Sequence, residues 1–120
     1  WINQYAPGLQ MWVTEFGSST NARERRAPRR ISPLHNVADR AYPPILVVTC
    51  KRDELVHPAH SFKFVAALRE RGTGAKPILH VIHDAGHAWM PVPQRAERQR
   101  ALLQFLSQAL TPSLKVRRRA

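Results

Sequence analysis

Residues 45–55 read ILVVTCKRDEL, and this stretch decides the fold. Ile45 to Cys50 is a short, continuously apolar and β-branched run that breaks abruptly into charge at Lys51. Without alternating polar positions it reads as a strand buried on both faces, the habit of parallel sheets. Tyr42-Pro43-Pro44 punctuates its entry. Pro77 to His83 reads as a second strand. Between the two, 58–71 changes to a helical pattern, with Phe64, Ala67, Leu68 and Phe62, Val65, Ala66 at helical spacings. Pro58 suits its first turn and Gly72 its stop. A second helix is predicted over 93–110, where Leu102, Phe105, Leu106, Ala109 and Leu110 fall at i, i+3, i+4, i+7 and i+8, and Pro112 ends it. Strand, helix, strand, helix with apolar strands is an α/β arrangement of parallel strands and flanking helices.

The totals agree with one domain. The chain has 120 residues and 43% hydrophobic content, enough for a core. No run approaches the ~18 apolar residues of a membrane span, and no signal-peptide pattern occurs. The first residues are Trp1-Ile2-Asn3 without Met, so the expectation is a start that is missing or processed. Net charge is +11, concentrated in two places. Residues 23–30 (RERRAPRR) set five arginines against one glutamate, and Lys115 with Arg117, Arg118 and Arg119 adds four more positive charges. These segments read as a solvated loop and tail. Neither interleaves aromatics for base stacking, which disfavours nucleic acid as a partner. The single cysteine excludes an internal disulfide and Cys-based zinc, and Cys50, closing an apolar run, reads as a small core residue.

In parallel sheets function gathers in loops beyond the C-terminal strand ends. Two loops occupy that position, Lys51-Arg52-Asp53-Glu54-Leu55 and Asp84-Ala85-Gly86-His87. One offers a carboxylate and the other an imidazole. If the strands are neighbours, Asp53 and His87 share a rim. A carboxylate at one imidazole nitrogen fixes the tautomer and stabilises the imidazolium, and the other nitrogen then serves as base for a serine hydroxyl. Asp before His is the chain order of α/β-hydrolase triads. The serine is absent: no G-x-S-x-G elbow occurs, and Gly17-Ser18-Ser19-Thr20 lacks the second glycine and a preceding buried strand. Taken singly, His87 reads as a structural loop histidine and Asp53 as a turn or helix-capping residue, with Arg52 and Glu54 solvated.

Several motifs occur in order. Trp12-Val13-Thr14-Glu15-Phe16-Gly17 comes first, then Ile31-Ser32-Pro33-Leu34-His35-Asn36-Val37 and Tyr42-Pro43. The stretch Thr49 to Phe64 follows, and Ala85-Gly86-His87 closes the set. From about residue 11 to about residue 110 the chain resembles the C-terminal part of the prolyl oligopeptidase catalytic domain. The resemblance implies residues 1–110 as a partial α/β-hydrolase domain and 111–120 as a basic C-terminal tail. It implies a serine peptidase that cuts short peptides after proline, with Asp53 as triad acid, His87 as base and Trp12 as the indole under the substrate proline. His35 leans towards the prolyl branch. The nucleophile half and the N-terminal propeller would be the missing partners, and the chain alone would be inactive. Three departures occur: Leu55 stands where the family has a substrate-holding arginine, which bears on substrate preference, Ala88-Trp89 follows the histidine where glycine is usual, and the arginine block at 23–30 replaces a usually acidic and aromatic stretch.

Other readings are an esterase or a different oligopeptidase branch of the α/β-hydrolases, and a non-catalytic basic binding fragment. No cofactor is expected. Six histidines raise the question of metal, but His80 and His83 on a strand point to opposite faces, and His57 with His60 lacks a third ligand, so no metal site is expected. One cysteine and no signal lean towards a cytoplasmic location without a membrane partner.

Overall fold

The apolar runs form strands, and the strands pair. In the computed structural model, residues 13–15, 17–18 and 20–117 are described, with side chains up to Thr111. The strands are β1 (Ala41–Tyr42), β2 (Leu46–Cys50), β3 (Thr73–Gly74) and β4 (Ile78–Ile82). The helices are α1 (Arg26–Ile31), α2 (Ala59–Arg71) and α3 (Val92–Arg117), with a 3-10 turn at Pro33–Asn36. The chain divides into two compact units, Trp1–Val37 and Ala38–Ala120.

In the second unit one register runs through two separate ladders. Ala41 pairs Thr73 and Tyr42 pairs Gly74, while Leu46 pairs Ile78 and so on to Cys50 with Ile82, all parallel and all 32 residues apart. Pro43, Pro44 and Pro77 lie in the interruption, where the missing N–H groups break the ladder without changing its offset. Backbone bonds from Thr73 N to Arg40 O (2.9 Å), Ile78 N to Ile45 O (2.9 Å) and Lys51 N to Ile82 O (2.8 Å) carry the pairing past the strand ends. The parallel crossover is α2. Gly72 ends it because a Cβ there would lie 2.5 Å from the Leu68 carbonyl, too close for any other residue.

The core is small: Val65 and Leu68 from α2, Ile82 from β4 and Ala85 just beyond it. The inward stripe of α2 is Ser61, Phe64, Val65 and Leu68, at i, i+3, i+4 and i+7. Phe62, expected to pack, is 41% exposed, since one helix presents one face to the sheet. Burial of β2 on both faces is also corrected. Leu46, Val47 and Val48 are half-buried and Thr49 alone is buried, because among the described residues β2 has a single strand neighbour. On α3 the expected apolar face splits. Phe105 and Ala109 are half-buried beside Gln94, Glu97 and Ala101, whereas Leu102, Leu103, Leu106 and Leu110 are exposed.

Two boundaries differ from the expectation. Helix α3 continues past Pro112 to Arg117. Proline forfeits one backbone bond, to the carbonyl four residues earlier, but its fixed φ is helical and the chain goes on. The arginine-rich segment, expected as a loop, contains α1. The Asn36 side-chain amide lies 2.9, 3.1 and 2.7 Å from the carbonyls of Arg29, Arg30 and Ser32, covering acceptors that a helix end leaves unpaired. On its other side, the Glu24 carboxylate accepts from Ser18 N and Asn21 Nδ2, both at 2.6 Å.

A two-stranded sheet with exposed leucines on its longest helix has little cooperative reserve. The 120-residue chain in isolation is therefore expected to bind a hydrophobic dye and to melt without a sharp transition. Calorimetry of the purified chain checks this; a cooperative transition from a dye-free monomer contradicts it.

Candidate active site

Beyond the strand ends the constant offset places the two rim loops side by side. Lys51 and Arg52 continue the β2 line, and Arg52 N donates to Ala85 O at 3.3 Å. The other loop turns at Asp84, whose φ of +56° lies in the left-handed region that aspartate tolerates better than most side chains. Ala85 then buries, and Gly86 passes close to the Arg52 carbonyl. A Cβ on Gly86 would sit 3.3 Å from that oxygen, tighter than ordinary contact, and 2.8 Å from Glu54 Oε2, the end of a flexible side chain, so glycine eases the approach. Gly86 N donates to Trp89 O at 3.1 Å, closing the corner that presents His87.

His87 Nδ1 lies 3.1 Å from Asp53 Oδ2. The two residues that the loops brought into question are thus in hydrogen-bond contact. Asp53 also behaves as the turn residue it would be on its own: Oδ1 accepts from Leu55 N at 3.1 Å and Val56 N at 2.7 Å. One oxygen holds its own loop and the other holds the ring. The Asp53 side chain is 14% exposed and that of His87 42%, so the carboxylate is shielded while the imidazole reaches solvent. Burial alone would push the Asp53 carboxyl up. The Val56 N–H, the His87 ring and the Leu55 N–H outweigh it and hold the carboxyl below its ordinary range.

Nearby groups take other parts. Burial, and after it the Asp53 charge, push the Cys50 thiol up against a smaller opposing effect of Arg98, so it stays protonated and a poor nucleophile. His57 Nδ1 accepts from Ala59 N at 3.2 Å at the start of α2. His35 Nδ1 lies 2.9 Å from Ser32 Oγ in the first unit. His80 Nε2 is 3.1 Å from Glu97 Oε1, a charge contact that is not aligned as a hydrogen bond. Leu55, Val56 and Trp89 are exposed large apolar residues within three positions of Asp53 or His87. Trp12 lies outside the described residues.

Sequence reasoning missed the ion pair between Arg52 Nη2 and Asp84 Oδ1, 2.8 Å apart. Their spacing in the chain equals the ladder offset, so the signal was present but usable only once the register was known.

A family model described as the prolyl oligopeptidase family matches residues 1–113. The prolyl endopeptidase of Elizabethkingia miricola is 38% identical over 88 residues, which take in 71% of this chain and 12% of that protein. The prolyl endopeptidase of Dictyostelium discoideum is 38% identical over 82 residues, 63% of this chain and 11% of that protein. A solved structure from a structural and mechanistic study of two prolyl endopeptidases superposes with a TM-score of 0.70 at 32% identity. It covers 90% of this chain and 15% of its own. The chain therefore spans about an eighth of the length of these curated relatives. Its parallel strands with flanking helices are those of an α/β-hydrolase fold. With a match reaching across almost all of its residues, the chain belongs to the prolyl oligopeptidase family.

Proposed function

We propose that this chain supplies the acid and the base of a Ser–His–Asp peptidase that hydrolyses short peptides after proline. The observation that carries the reading is the 3.1 Å contact between His87 Nδ1 and Asp53 Oδ2 at the C-terminal ends of adjacent parallel strands. Family membership supports the peptidase chemistry, and the order Asp before His supports the triad.

In this reading His87 Nδ1 carries a proton and donates a hydrogen bond to Asp53 Oδ2, which leaves Nε2 as the base. Nε2 takes the proton of a serine hydroxyl as it attacks the scissile carbonyl, then returns a proton to the leaving amine. Asp53 stays ionised throughout and stabilises the imidazolium. Its remaining oxygen is tied to two backbone N–H groups, so the carboxylate has little freedom to turn away. No G-x-S-x-G elbow occurs in the 120 residues, so the serine and its oxyanion donors come from another part of the protein, which is the partner this reading requires. Trp12 is assigned, by family resemblance, to stacking on the substrate proline. The exposed Leu55 gives this rim an apolar contact where the family has an arginine.

In full-length protein containing this chain, His87→Ala is expected to lower kcat by at least ~10³-fold with a modest change in KM. Asp53→Asn keeps the ring but favours the wrong tautomer, at a cost of roughly 10⁴-fold. His35, His57, His60, His80 and His83 are each replaceable with less than ~10-fold loss, because the imidazole hydrogen-bonded to Asp53 is that of His87. Steady-state kinetics on the seven variants checks this; near-normal turnover by His87→Ala, or failure of His83→Ala alone, contradicts the assignment. The chain by itself is expected to resist a fluorophosphonate probe, and stoichiometric labelling of any of its serines overturns its catalytic incompleteness.

A third expectation concerns charge. Because the folded Asp53 carboxyl titrates below its unfolded value, it stabilises the site fully above the ordinary aspartate pKa of about 3.9, and that contribution is lost as pH falls through the depressed value. Carboxyl ¹³C NMR should place the Asp53 midpoint below about 3.9, and His87→Ala should raise it by removing one of three donors. A midpoint that His87→Ala leaves unmoved contradicts the pairing.

A further inference from the structure

Arg52 and Asp84 join the two rim loops at a point the triad chemistry does not use. Arg52 precedes Asp53 in the chain, and it touches the His87 loop in three ways. Its N–H donates to Ala85 O at 3.3 Å, its carbonyl packs under Gly86, and its guanidinium pairs with Asp84 at 2.8 Å. The first of these is long for an N–H···O bond. The last regular ladder bond, from Lys51 N to Ile82 O, lies a residue earlier. After the ladder ends, this short charged contact and the Asp53–His87 hydrogen bond are the side-chain ties between the loops.

We propose that the Arg52–Asp84 pair is a positioning clamp that holds the two loops at the separation the Asp53–His87 hydrogen bond requires. Both side chains are largely exposed, at 74% and 62%, so the pair contributes little to global stability. Its effect is geometric. Asp84 sits at the left-handed turn that starts the His87 corner, and Arg52 is bonded in sequence to Asp53, so a shift of either moves one member of the catalytic pair. The Asp53–His87 contact, at 3.1 Å, is already near the long end of a good hydrogen bond and has little slack. Arg52 and Asp84 are positioning residues that act through the Asp53–His87 pair. The kinetic part of this proposal rests on the proposed triad role.

The test uses full-length protein containing this chain, with Asp84→Asn, Arg52→Gln, the double variant and Arg52→Lys. Asparagine keeps the left-handed turn accessible, so Asp84→Asn removes charge without breaking the backbone. Each single neutralisation is expected to lower kcat about 3–10-fold with KM within about 2-fold, and the double variant to be no worse than either single. Arg52→Lys should retain most of the turnover. Raising salt to about 1 M should lower kcat in the parent more than in Asp84→Asn, because an exposed pair is screened. Unchanged kcat in the singles, a loss confined to KM, or additive losses in the double variant overturn the clamp. The ¹⁵N shifts of the His87 ring, read without substrate, decide the clamp independently of turnover: they move in both singles if the pair holds the ring and stay fixed if it does not. His87→Ala, assayed in parallel, decides the base assignment separately.

Discussion

Everything at the rim depends on a parallel backbone pairing with one constant offset. From Ala41 to Cys50 each paired residue meets the residue 32 positions later, across a gap of prolines that interrupts the hydrogen bonds but not the register. In a strand a slip of one residue turns every side chain to the other face. Here such a slip would move Asp53 relative to the Ala85–His87 corner and separate the carboxylate from the ring. The offset also sets Arg52 opposite Asp84. His87 reaches Asp53 two positions beyond the simple register, and the turn at Asp84 together with the close pass of Gly86 absorbs those two residues.

Asp53 shows how one side chain serves folding and chemistry together. Its two oxygens divide the work, one tying down the loop through Leu55 and Val56 and the other meeting His87. The same donors that fix its geometry keep it ionised, because each favours the charged form. That charge reaches Cys50 as well, adding to the effect of burial in keeping the thiol protonated. The rim thus contains a shielded carboxylate, a reachable imidazole and a protonated thiol, a distribution suited to proton transfer by the histidine.

Much of this was legible in the sequence. The run from Ile45 to Cys50 and its counterpart before His83 gave two strands, Gly72 marked a helix end, and loops after parallel strands pointed to Asp53 and His87. What could not be read was anything requiring a three-dimensional partner. Periodicity alone did not say that Phe62 and Leu102 would face outward, because a helix pattern names apolar positions and not the surface that covers them. Pro112 carried a stop signal that a single lost backbone bond does not enforce. The arginine run looked like unpacked charge, and Asn36, six or more residues away in sequence, supplies the cap that a local reading overlooks. The Arg52–Asp84 pair was hidden for the same reason, since a spacing becomes a contact only when the register is known.

In the proposed triad the fold delivers His87 to Asp53 in a defined tautomer. Ring ¹⁵N and proton spectra of His87 in full-length protein containing this chain test it most directly. The expected result is a protonated Nδ1 with a far-downfield proton, a bare Nε2 in the neutral ring, and loss of the downfield signal in Asp53→Asn. A ring protonated at Nε2 with Nδ1 bare, or a spectrum that Asp53→Asn leaves unchanged, would contradict it.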